Sequence, residues 1–379
     1  MMVLPGSTIG MLGGGQLGRM FTIAARSMGY EVIVLDPDPE SPAGKLATDH
    51  VCAEYTDQTA LDYISRTCDV VTTEFENVPA STLEALANSC PVRPGAQSVL
   101  ITQDRIHEKA FLQDNGFPTA PFAIIRNESD LEPGLHTVKT PAILKVSRFG
   151  YDGKGQYAVD SASDLKTAWQ ALQGNESVLE QRVPLDMEVS VVLARGTDGQ
   201  TVTYPVAENI HQNGILDVSM VPARINSSVS EQVNEMATRI ASELDYIGVM
   251  AVEFFISNGQ LLVNEIAPRP HNSGHYTLDA SVTSQFEQQV RAVCGLPLGD
   301  THLLSPVVMV NLIGDLWQEN KPPAWGALLS HVNAKLHLYG KREARPGRKM
   351  GHYNVLAPEL QDALELAAEI KTQLGHSQR

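Results

Sequence analysis

The sequence is poor in cysteine and in basic residues, and it contains no long apolar run. Its four cysteines, Cys52, Cys68, Cys90 and Cys294, are scattered without a C-x-x-C spacing. This argues against a zinc site or a disulfide framework and favours a reducing compartment. No apolar run could span a bilayer, and the N-terminus lacks the basic and apolar regions of a signal peptide. We therefore expect a soluble, cytoplasmic protein.

The charge balance restricts the possible partners. The 379 residues include 28 Lys and Arg against 44 Asp and Glu, which gives a formal net charge of −16. Such an acidic surface repels nucleic acid and anionic membranes, so neither is expected as a partner. A phosphorylated ligand would need locally concentrated cations or a metal ion. The length predicts two or three domains, and the 43% hydrophobic content is typical of a globular chain.

The first hundred residues alternate between short apolar runs and helical patterns. This alternation predicts a parallel sheet with helices on both faces, ending near Gln103. The expected strands are TIGMLG, EVIVLD, HVCAEY, VVTTEF and CPVRPG, and the expected helices are LGRMFTIAARSMG, QTALDYISRT and ASTLEALANS.

Beyond residue 103 the pattern changes to β-hairpins with glycine-containing turns. One helix, about Ser228–Leu244, lies among them, and a preceding helix ends at Asn115-Gly116. From Pro306 the chain mixes apolar strands with a basic hairpin, and a last helix begins near Pro358. The expected hairpins are PAILKVSRFGYDGKGQYAV, MEVSVVLARGTDGQTVTYPVAE and VMAVEFFISNGQLLVNEIAP.

A glycine-rich loop opens the chain. Gly13, Gly15 and Gly18 satisfy G-x-G-x-x-G between an apolar strand and a helix, and Asp36 ends the next apolar run. In a dinucleotide-binding domain these glycines approach a pyrophosphate and the acid binds a ribose. One hypothesis is therefore a nicotinamide-dependent dehydrogenase.

A second glycine-rich loop follows a lysine that lies within an apolar strand. Lys145 precedes Gly150, Gly153, Lys154 and Gly155. Glycines let backbone N–H groups surround phosphate oxygens, while lysine supplies charge, although the Walker pattern is missing. A mobile hairpin is the alternative interpretation. A lysine in a strand is costly without an anionic partner, which favours phosphate binding.

Two acids lie in apolar strands joined by the turn Asn258-Gly259. A tight turn would set Glu253 opposite Asn264, whereas one bulged residue would bring Glu265 opposite Glu253 instead. In both cases two carboxylates and a carboxamide converge, and such hard oxygen ligands favour magnesium or manganese. The alternative is that the acids pair with Arg269 or Lys145.

Polar residues crowd the segment RPHNSGH directly after these acids. Arg269 offers a planar fork for a carboxylate, bicarbonate or phosphoryl group, and a structural role is favoured for His275. In SVLEQRV the strand backbone is a candidate contact for adenine, with Glu188 contacting the ribose. The basic residues Lys341, Arg342, Arg345, Arg348 and Lys349 form either a solvated hairpin or a phosphate clamp.

Together these segments resemble the ATP-grasp superfamily and, within it, the N5-carboxyaminoimidazole ribonucleotide synthetases of purine biosynthesis. The resemblance rests on GGGQLGRM, TTEFENV, LKVSRFGYDGKGQ, LEQRV, NEIAPRPHNSGHYTLDA, SQFE and GRKMGHYN, in that order along nearly the whole chain. It implies an ATP-grasp fold of α/β and α+β character. Residues 1–103 would form a Rossmann-like pre-ATP-grasp domain, residues 104–300 the ATP-grasp domain with a lid at about 118–180, and residues 301–379 a small β-rich domain.

The resemblance also implies the roles of individual residues. Glu253 and Glu265 would bind Mg²⁺, with Mn²⁺ as an alternative, and Arg269, His271 and Lys145 would be catalytic. The first glycine-rich loop would help to hold a phosphoribosyl substrate through its amides, and no nicotinamide would bind. The ribonucleotide would contact Gln16, Leu17, Glu76, Asn272, Lys341, Arg348 and Lys349. ATP would contact Arg105, Lys145, Gly150, Tyr151, Asp152, Gly153, Lys154, Gly155, Gln156, Glu180, Gln181, Arg182, Val183, Glu188, His211, Asn264 and Glu265.

The implied reaction is the ATP-dependent carboxylation of 5-aminoimidazole ribonucleotide by bicarbonate through carboxyphosphate. The loop Phe149–Tyr157 would close as a lid over this reactive intermediate. A homodimer that passes its product to a mutase is also implied. Three alternatives remain: the formate-dependent glycinamide ribonucleotide transformylase, which is another ATP-grasp ligase, the dehydrogenase, and a catalytically silent nucleotide-binding module.

Overall fold

The computed structural model describes residues 2–150, 153–317 and 321–375. The expected ATP contacts Tyr151 and Asp152 lie outside the described residues. The α-helices are α1 Gln16–Ser27, α2 Gln58–Thr67, α3 Ala80–Ala87, α4 Ala96–Thr102, α5 Arg105–Asp114, α6 Leu131–Val138, α7 Ala162–Ala171, α8 Ser227–Glu243, α9 Thr277–Ala280, α10 Gln285–Val293, α11 Trp325–Leu329 and α12 Leu360–Gln373. Short 3₁₀ helices span Glu128–Asp130, Asn272–Gly274 and Gly314–Leu316.

The strands form three sheets. They are β1 Thr8–Leu12, β2 Glu31–Leu35, β3 Asp49–Val51, β4 Val70–Thr73, β5 Phe122–Ile125, β6 Ala142–Val146, β7 Gln156–Val159, β8 Ser177–Gln181, β9 Met187–Arg195, β10 Thr201–Thr203, β11 Ala207–Gln212, β12 Ile215–Val221, β13 Gly248–Ser257, β14 Gln260–Ala267, β15 Val307–Ile313, β16 Ala334–Leu338 and β17 Lys349–Leu356.

The N-terminal sheet is parallel with strand order β3-β2-β1-β4. Separate buried clusters lie on its two faces, so the prediction of helices on both sides is confirmed. One expected strand, CPVRPG, is wrong: the segment makes only a parallel bridge between Val92 and Val71. Pro91 and Pro94 flank this bridge and have no N–H to donate, so pairing cannot extend.

The second sheet has the order β5-β8-β6-β7 and is antiparallel. Strands β6 and β7 form the hairpin that the sequence predicted around the second glycine-rich loop. Helices α6 and α7 pack on the sheet through the buried cluster that includes Leu144, Leu165 and Leu179. Burying a side chain of this size contributes about 2 kcal/mol to stability. The sheet therefore presents its other face, which carries the buried Lys145 and Glu180, to a cleft.

The third sheet has nine strands. Its main path is β14-β13-β9-β11-β12-β15-β17-β16, and β10 pairs with the outer part of β9. Strand β12 pairs with β15, so the sheet continues across the expected division at residue 300. That division into domains stays a prediction. Strand β14 is an edge strand, which leaves half of its backbone groups without a strand partner.

Alternation along β9 and β13 places one set of apolar residues against α8, while the opposite face is polar near Glu188 and Glu253 and apolar at its other end. Val189, Val191 and Val252 pack with α8 in one buried cluster. The intervening residues Glu188 and Ser190 face the opposite direction, toward the cleft. Within the described part of the chain, no helix combines the length and apolar character needed to cross a bilayer.

Candidate active site

The hairpin of β13 and β14 contains the bulge that the sequence left open. Ser257 pairs with Gln260 across the two-residue turn, where Asn258 and Gly259 both have positive φ. This geometry is that of a type I′ turn, which favours asparagine and glycine. The register then shifts, so Glu253 pairs directly with Glu265 and Asn264 is the extra residue. Both carboxylates therefore lie on the cleft face.

Neighbouring charges shift the pKa values of Glu253 and Glu265 in opposite directions. Burial and the charge of Glu265 raise the pKa of Glu253. Burial would also raise the pKa of Glu265, but the cations Arg105 and Lys145 outweigh it and lower this pKa. Arg105 at the start of α5 donates to Glu265 Oε2 at 3.2 Å. Among the described residues, neither acid forms an ion pair with Arg269 or Lys145, since Arg269 pairs with Glu76 and Lys145 with Glu180.

The donor set fits a hard divalent cation. Asn264 Nδ2 donates to Glu253 Oε2 at 3.3 Å, while Asn264 Oδ1 is buried without a hydrogen-bond partner. Among the described residues, no three His, Cys, Asp or Glu side chains form a metal cluster. Magnesium needs fewer protein ligands, because it retains waters and is commonly held by one or two carboxylates with substrate phosphates. Two carboxylates and one free amide oxygen therefore suit it.

The opposite wall of the cleft contains a buried ion-pair network. Lys145 on β6 lies diagonally across from Glu180 on β8, and Lys145 Nζ donates to Glu180 Oε2 at 3.1 Å. Lys109 Nζ lies 3.5 Å from the same oxygen. Burial opposes ionisation, yet Lys109, Lys145 and Arg105 lower the pKa of Glu180 to about 2. Burial lowers the pKa of Lys145.

The second glycine-rich loop reaches the other wall. Gly153 and Gly155 have φ values of 75° and 71°. A Cβ at Gly153 would lie 3.3 Å from the carbonyl oxygen of Asn213, in the turn between β11 and β12. Gly150 and Lys154 lie in this loop, and Gln156 begins β7, where it pairs with Lys145. The described residues of this loop therefore lie between Lys145 on β6 and the turn that joins β11 and β12.

The segment after β8 and the pair Glu188–His211 border the same cleft. The N–H groups of Gln181 and Arg182 donate to the carbonyls of Pro121 and Pro141 at 2.8 and 2.9 Å, and Val183 follows. Glu188 Oε2 lies 2.5 Å from His211 Nδ1. Burial would lower the pKa of His211, but the bond to Glu188 and nearby carboxylates raise it.

The segment Arg269–His275 closes one end of the cleft. The Arg269 guanidinium donates to Glu76 Oε2 at 2.6 Å. His271 Nε2 lies 3.5 Å from Glu253 Oε1, and burial lowers the pKa of His271 well below its ordinary value. Asn272 is buried, and neither of its side-chain amide atoms has a hydrogen-bond partner within the protein.

The basic cluster divides into two parts. Lys341 Nζ donates to Gln16 Oε1 and, at 2.8 Å, to the carbonyl of Lys349, so this part adjoins the N-terminal loop. Arg345 is exposed beside Glu343 at 3.5 Å. Arg348 donates to the carbonyl of Glu343 at 2.9 Å. The solvated interpretation therefore describes Arg345, whereas Lys341 and Lys349 adjoin the cleft.

Three backbone N–H groups of the first glycine-rich loop differ from the expectation that the amides of this loop hold a substrate. The N–H of Gly14 donates to Asp36 Oδ2 at 2.6 Å, and the N–H groups of Gly15 and Gly18 donate to Glu74 at 2.5 and 2.8 Å. These amides already have carboxylate acceptors, so they do not face a substrate phosphate or a pyrophosphate. Leu17 packs into the core and is 7% exposed, so its expected contact with the substrate stays a prediction.

His275 is structural, as favoured from the sequence. Its ring centroid lies 4.8 Å from that of His352 at an interplanar angle of 37°, and Gln285 Nε2 lies 3.0 Å from its Nδ1. The sequence interpretation missed Glu108, Lys109 and Glu74. Each is a single charged residue in an unremarkable helix or strand end. The available signal was that these charged residues lie on the apolar face of a helix or strand. A charged residue buried there requires a partner.

Comparison with known proteins agrees with this geometry. The family model for the ATP-grasp domain matches residues 110–286. The ribonucleotide synthetase preATP-grasp domain matches residues 6–103, and the phosphoribosylaminoimidazole carboxylase C-terminal domain matches residues 307–366. The fold and the site thus define an ATP-grasp ligase with a preATP-grasp domain.

Individual relatives narrow the class. The N5-carboxyaminoimidazole ribonucleotide synthase of Bacillus subtilis is 44% identical over 353 residues, covering 92% of this chain and 91% of the relative. A crystal structure of an N5-carboxyaminoimidazole ribonucleotide synthetase in complex with ADP superposes with a TM-score of 0.93 at 42% identity, covering 100% and 99%. The synthase of Aspergillus clavatus, in complex with ADP and 5-aminoimidazole ribonucleotide, gives 0.91 at 31% identity, covering 98% and 99%. The chain belongs to the N5-carboxyaminoimidazole ribonucleotide synthase family.

Proposed function

We propose that this ligase carboxylates the amino group of 5-aminoimidazole ribonucleotide with bicarbonate, using ATP and Mg²⁺, in purine biosynthesis. The observation that carries the proposal is the direct pairing of Glu253 with Glu265 across the bulge, beside the unpartnered Asn264 Oδ1. This set of oxygens provides a place for a divalent ion next to a cleft that Lys145 borders. The relatives named above support the choice of substrates.

The ATP contacts follow from the two walls. Lys145 and the loop from Gly150 to Gln156 would hold the phosphates, and Glu188 with His211 would hold the ribose. Because Gln181 and Arg182 use their N–H groups within the protein, Val183 is the candidate amide for adenine. Glu253, Asn264 and Glu265 would hold Mg²⁺, which would neutralise phosphate charge when bound.

The ribonucleotide would lie between the Arg269–Asn272 segment and the N-terminal loop. Asn272 offers two unpartnered amide atoms, and Glu76 is already fixed by Arg269. Gln16, Lys341, Arg348 and Lys349 are the proposed contacts from the opposite side, with Leu17 restricted to its backbone. Arg269 and His271 would stabilise the carboxylated intermediate, since both adjoin the acid pair or its neighbours.

The reaction overcomes the poor leaving group of bicarbonate. A bicarbonate oxygen attacks the γ-phosphorus, the bond to the β,γ-bridging oxygen breaks, and ADP leaves carboxyphosphate behind. The amine nitrogen then attacks the carboxyl carbon of carboxyphosphate, or carbon dioxide released from it, phosphate departs, and the nitrogen loses a proton. Most of the catalysis is positioning and charge stabilisation, with the glycine-rich loop excluding water from the intermediate.

The test is ADP formation with ATP, magnesium and bicarbonate, with and without 5-aminoimidazole ribonucleotide. We expect turnover that depends on both bicarbonate and the aminoimidazole. Turnover with glycinamide ribonucleotide and formate instead would support the transformylase alternative. Binding of NAD without binding of ATP would support the dehydrogenase.

We also propose that the enzyme acts as a homodimer in the cytoplasm and passes its product to a mutase. Family resemblance is the support for this proposal. Sedimentation of the purified protein measures the oligomeric state directly, and a monomer at micromolar concentration would contradict it.

A further inference from the structure

The outer edge of β14 lies against a helix instead of a strand. Strand β14 carries the bulge, yet its outward backbone groups have side-chain or loop partners. Val263 N–H donates to the carbonyl of Pro118 at 2.7 Å. The carbonyl of Asn264 accepts from Lys109 Nζ at 3.0 Å, and Ile266 N–H donates to Glu108 Oε1 at 2.6 Å. These two bonds bracket Glu265.

Helix α5 supplies three charged side chains to this edge. Arg105, Glu108 and Lys109 are spaced at i, i+3 and i+4, so they lie on one face of the helix. Glu108 is 2% exposed and Lys109 is fully buried. Burial of two such charges is costly, and here the strand backbone and the buried Glu180 compensate. The helix therefore binds the backbone on both sides of Glu265 as well as its side chain.

Lys109 also connects the two walls of the cleft. Its Nζ contacts the carbonyl of Asn264 on β14 and lies 3.5 Å from Glu180 on β8. Glu180 in turn accepts from Lys145, the proposed phosphate contact. One buried ammonium group thus sets the position of the bulge relative to the lysine across the cleft.

We infer that Glu108 and Lys109 are positioning residues that hold the Asn264–Glu265 bulge in the register that presents its oxygens to a divalent cation. A bulge has a looser ladder than a regular pair, so a free edge would let it slip by one residue and turn Glu265 away from the cleft. Neither residue is among the proposed substrate contacts. The inference rests on the proposed function for the identity of the ion.

The test compares Glu108→Met, Glu108→Gln and Lys109→Met with the full-length wild-type protein. Glutamine keeps an acceptor oxygen for Ile266 N–H, whereas methionine keeps only the length. The first readout is hydrogen exchange of the 263–266 segment, without metal or nucleotide. The second is Mn²⁺ affinity, measured by electron paramagnetic resonance with a non-hydrolysable ATP analogue.

We expect faster exchange at Ile266 in Glu108→Met and Lys109→Met, and a Mn²⁺ affinity that is about 10- to 100-fold weaker. Glu108→Gln should restore most of both. The matched control is Gln289→Met, because buried Gln289 also accepts from a backbone N–H of this hairpin, at Val249. That variant should lose stability while keeping wild-type exchange at Ile266 and wild-type Mn²⁺ affinity.

Wild-type exchange and Mn²⁺ affinity in a folded methionine variant would overturn the inference. If Glu108→Met does not fold, Lys109→Met decides by the same two readouts. A Glu108→Gln protein that folds but shows no Mn²⁺ binding above the signal of buffer without protein also contradicts the inference. If wild-type protein itself fails to bind Mn²⁺ with the analogue, the proposed function fails. The exchange measurement still decides the inference in that case.

Discussion

The two glycine-rich loops both contain several glycines, but the groups that surround their backbones differ. In the first, around Gly13–Gly18, carboxylates of the protein already accept from three backbone N–H groups. In the second, around Gly150–Gly155, the neighbours are Lys145 and the turn at Asn213. Glycine lets a backbone approach an anion closely. It does not specify whether that anion belongs to a ligand or to the protein.

The acids of the two regions differ in the same way. Glu74 accepts from neutral N–H groups, so burial dominates and raises its pKa. Glu180 is also buried, but it is surrounded by Lys109, Lys145 and Arg105, which lower its pKa to about 2. The first region is an internal cap of a helix N-terminus. The second is a charged wall of the cleft, which we propose lies beside the ATP phosphates.

The largest expected effect comes from a substitution in the proposed ATP site beside the second loop. Glu265→Gln should reduce ATP turnover by about 1000-fold, because the proposed metal site would lose one of its two carboxylates. The circular dichroism spectrum should not change. Coupled ADP-release kinetics measure the effect. Wild-type turnover in this variant would contradict the proposed metal site at Glu265. It would also contradict the proposal that ATP reacts in the cleft beside the second glycine-rich loop.

The next prediction is that the stability contributions of Glu180 and Glu74 depend on pH in different ways. Glu180→Gln should lower stability by about 3 kcal/mol at neutral pH, and this deficit should shrink as pH falls from about 4.5 toward 2, where the stabilising carboxylate becomes protonated. Glu74 has a raised pKa in the folded protein, so its contribution falls as pH rises above about 4.5. Glu74→Gln should therefore become relatively more stable than wild type with rising pH. Thermal unfolding of both variants and of wild type, measured between about pH 2.5 and 8, should show the Glu180→Gln difference changing only below about pH 4.5 and the Glu74→Gln difference changing only above it. Differences that change over the same pH range would contradict the comparison.

A third prediction converts the first loop into an open one. Glu74→Ala should cost about 2 kcal/mol, because two backbone N–H groups lose their acceptor. Added sulfate should then raise the melting temperature of the variant more than that of wild type, since a helix N-terminus binds anions. The KM for ATP should stay within about twofold. Equal sulfate responses would mean that the carboxylate does not occupy the anion position.

The smallest effect concerns the second loop. Gly153→Ala should cost about 1 kcal/mol, because the residue has a φ of 75° and a Cβ would approach the Asn213 carbonyl. It should also raise the KM for ATP severalfold. Gly199→Ala is the control, since Gly199 has a φ of 82° in a turn beyond the far end of β9. That variant should show a similar stability loss without a change in KM.

Local patterns predicted much of the fold. The helix expected at QTALDYISRT matches α2, and the turn at Asn258-Gly259 joins β13 and β14 as expected. These features depend on periodicity and turn chemistry within a few residues. The strand expected at CPVRPG was wrong because Pro91 and Pro94 within it have no N–H to donate, so pairing stops at the bridge between Val92 and Val71.

The site was predictable only in part. The segment containing Glu253, Asn264 and Glu265 was recognised, but two registers remained open until the bulge was seen. Glu108 and Lys109 went unnoticed because their partners lie about 155 residues away. Nothing in a helical sequence indicates which distant backbone a buried charge will contact.

By itself the sequence determined many of the strands, helices and turns, and it determined that lysines, acids and glycines follow one another in an ATP-grasp order. Only the tertiary structure decided that Glu74 and Asp36 fill the first loop, and that Glu265 rather than Asn264 pairs with Glu253. The reason is that strand register and the partners of backbone N–H groups depend on elements far apart in the chain. Those contacts form only when the sheets and α5 pack together.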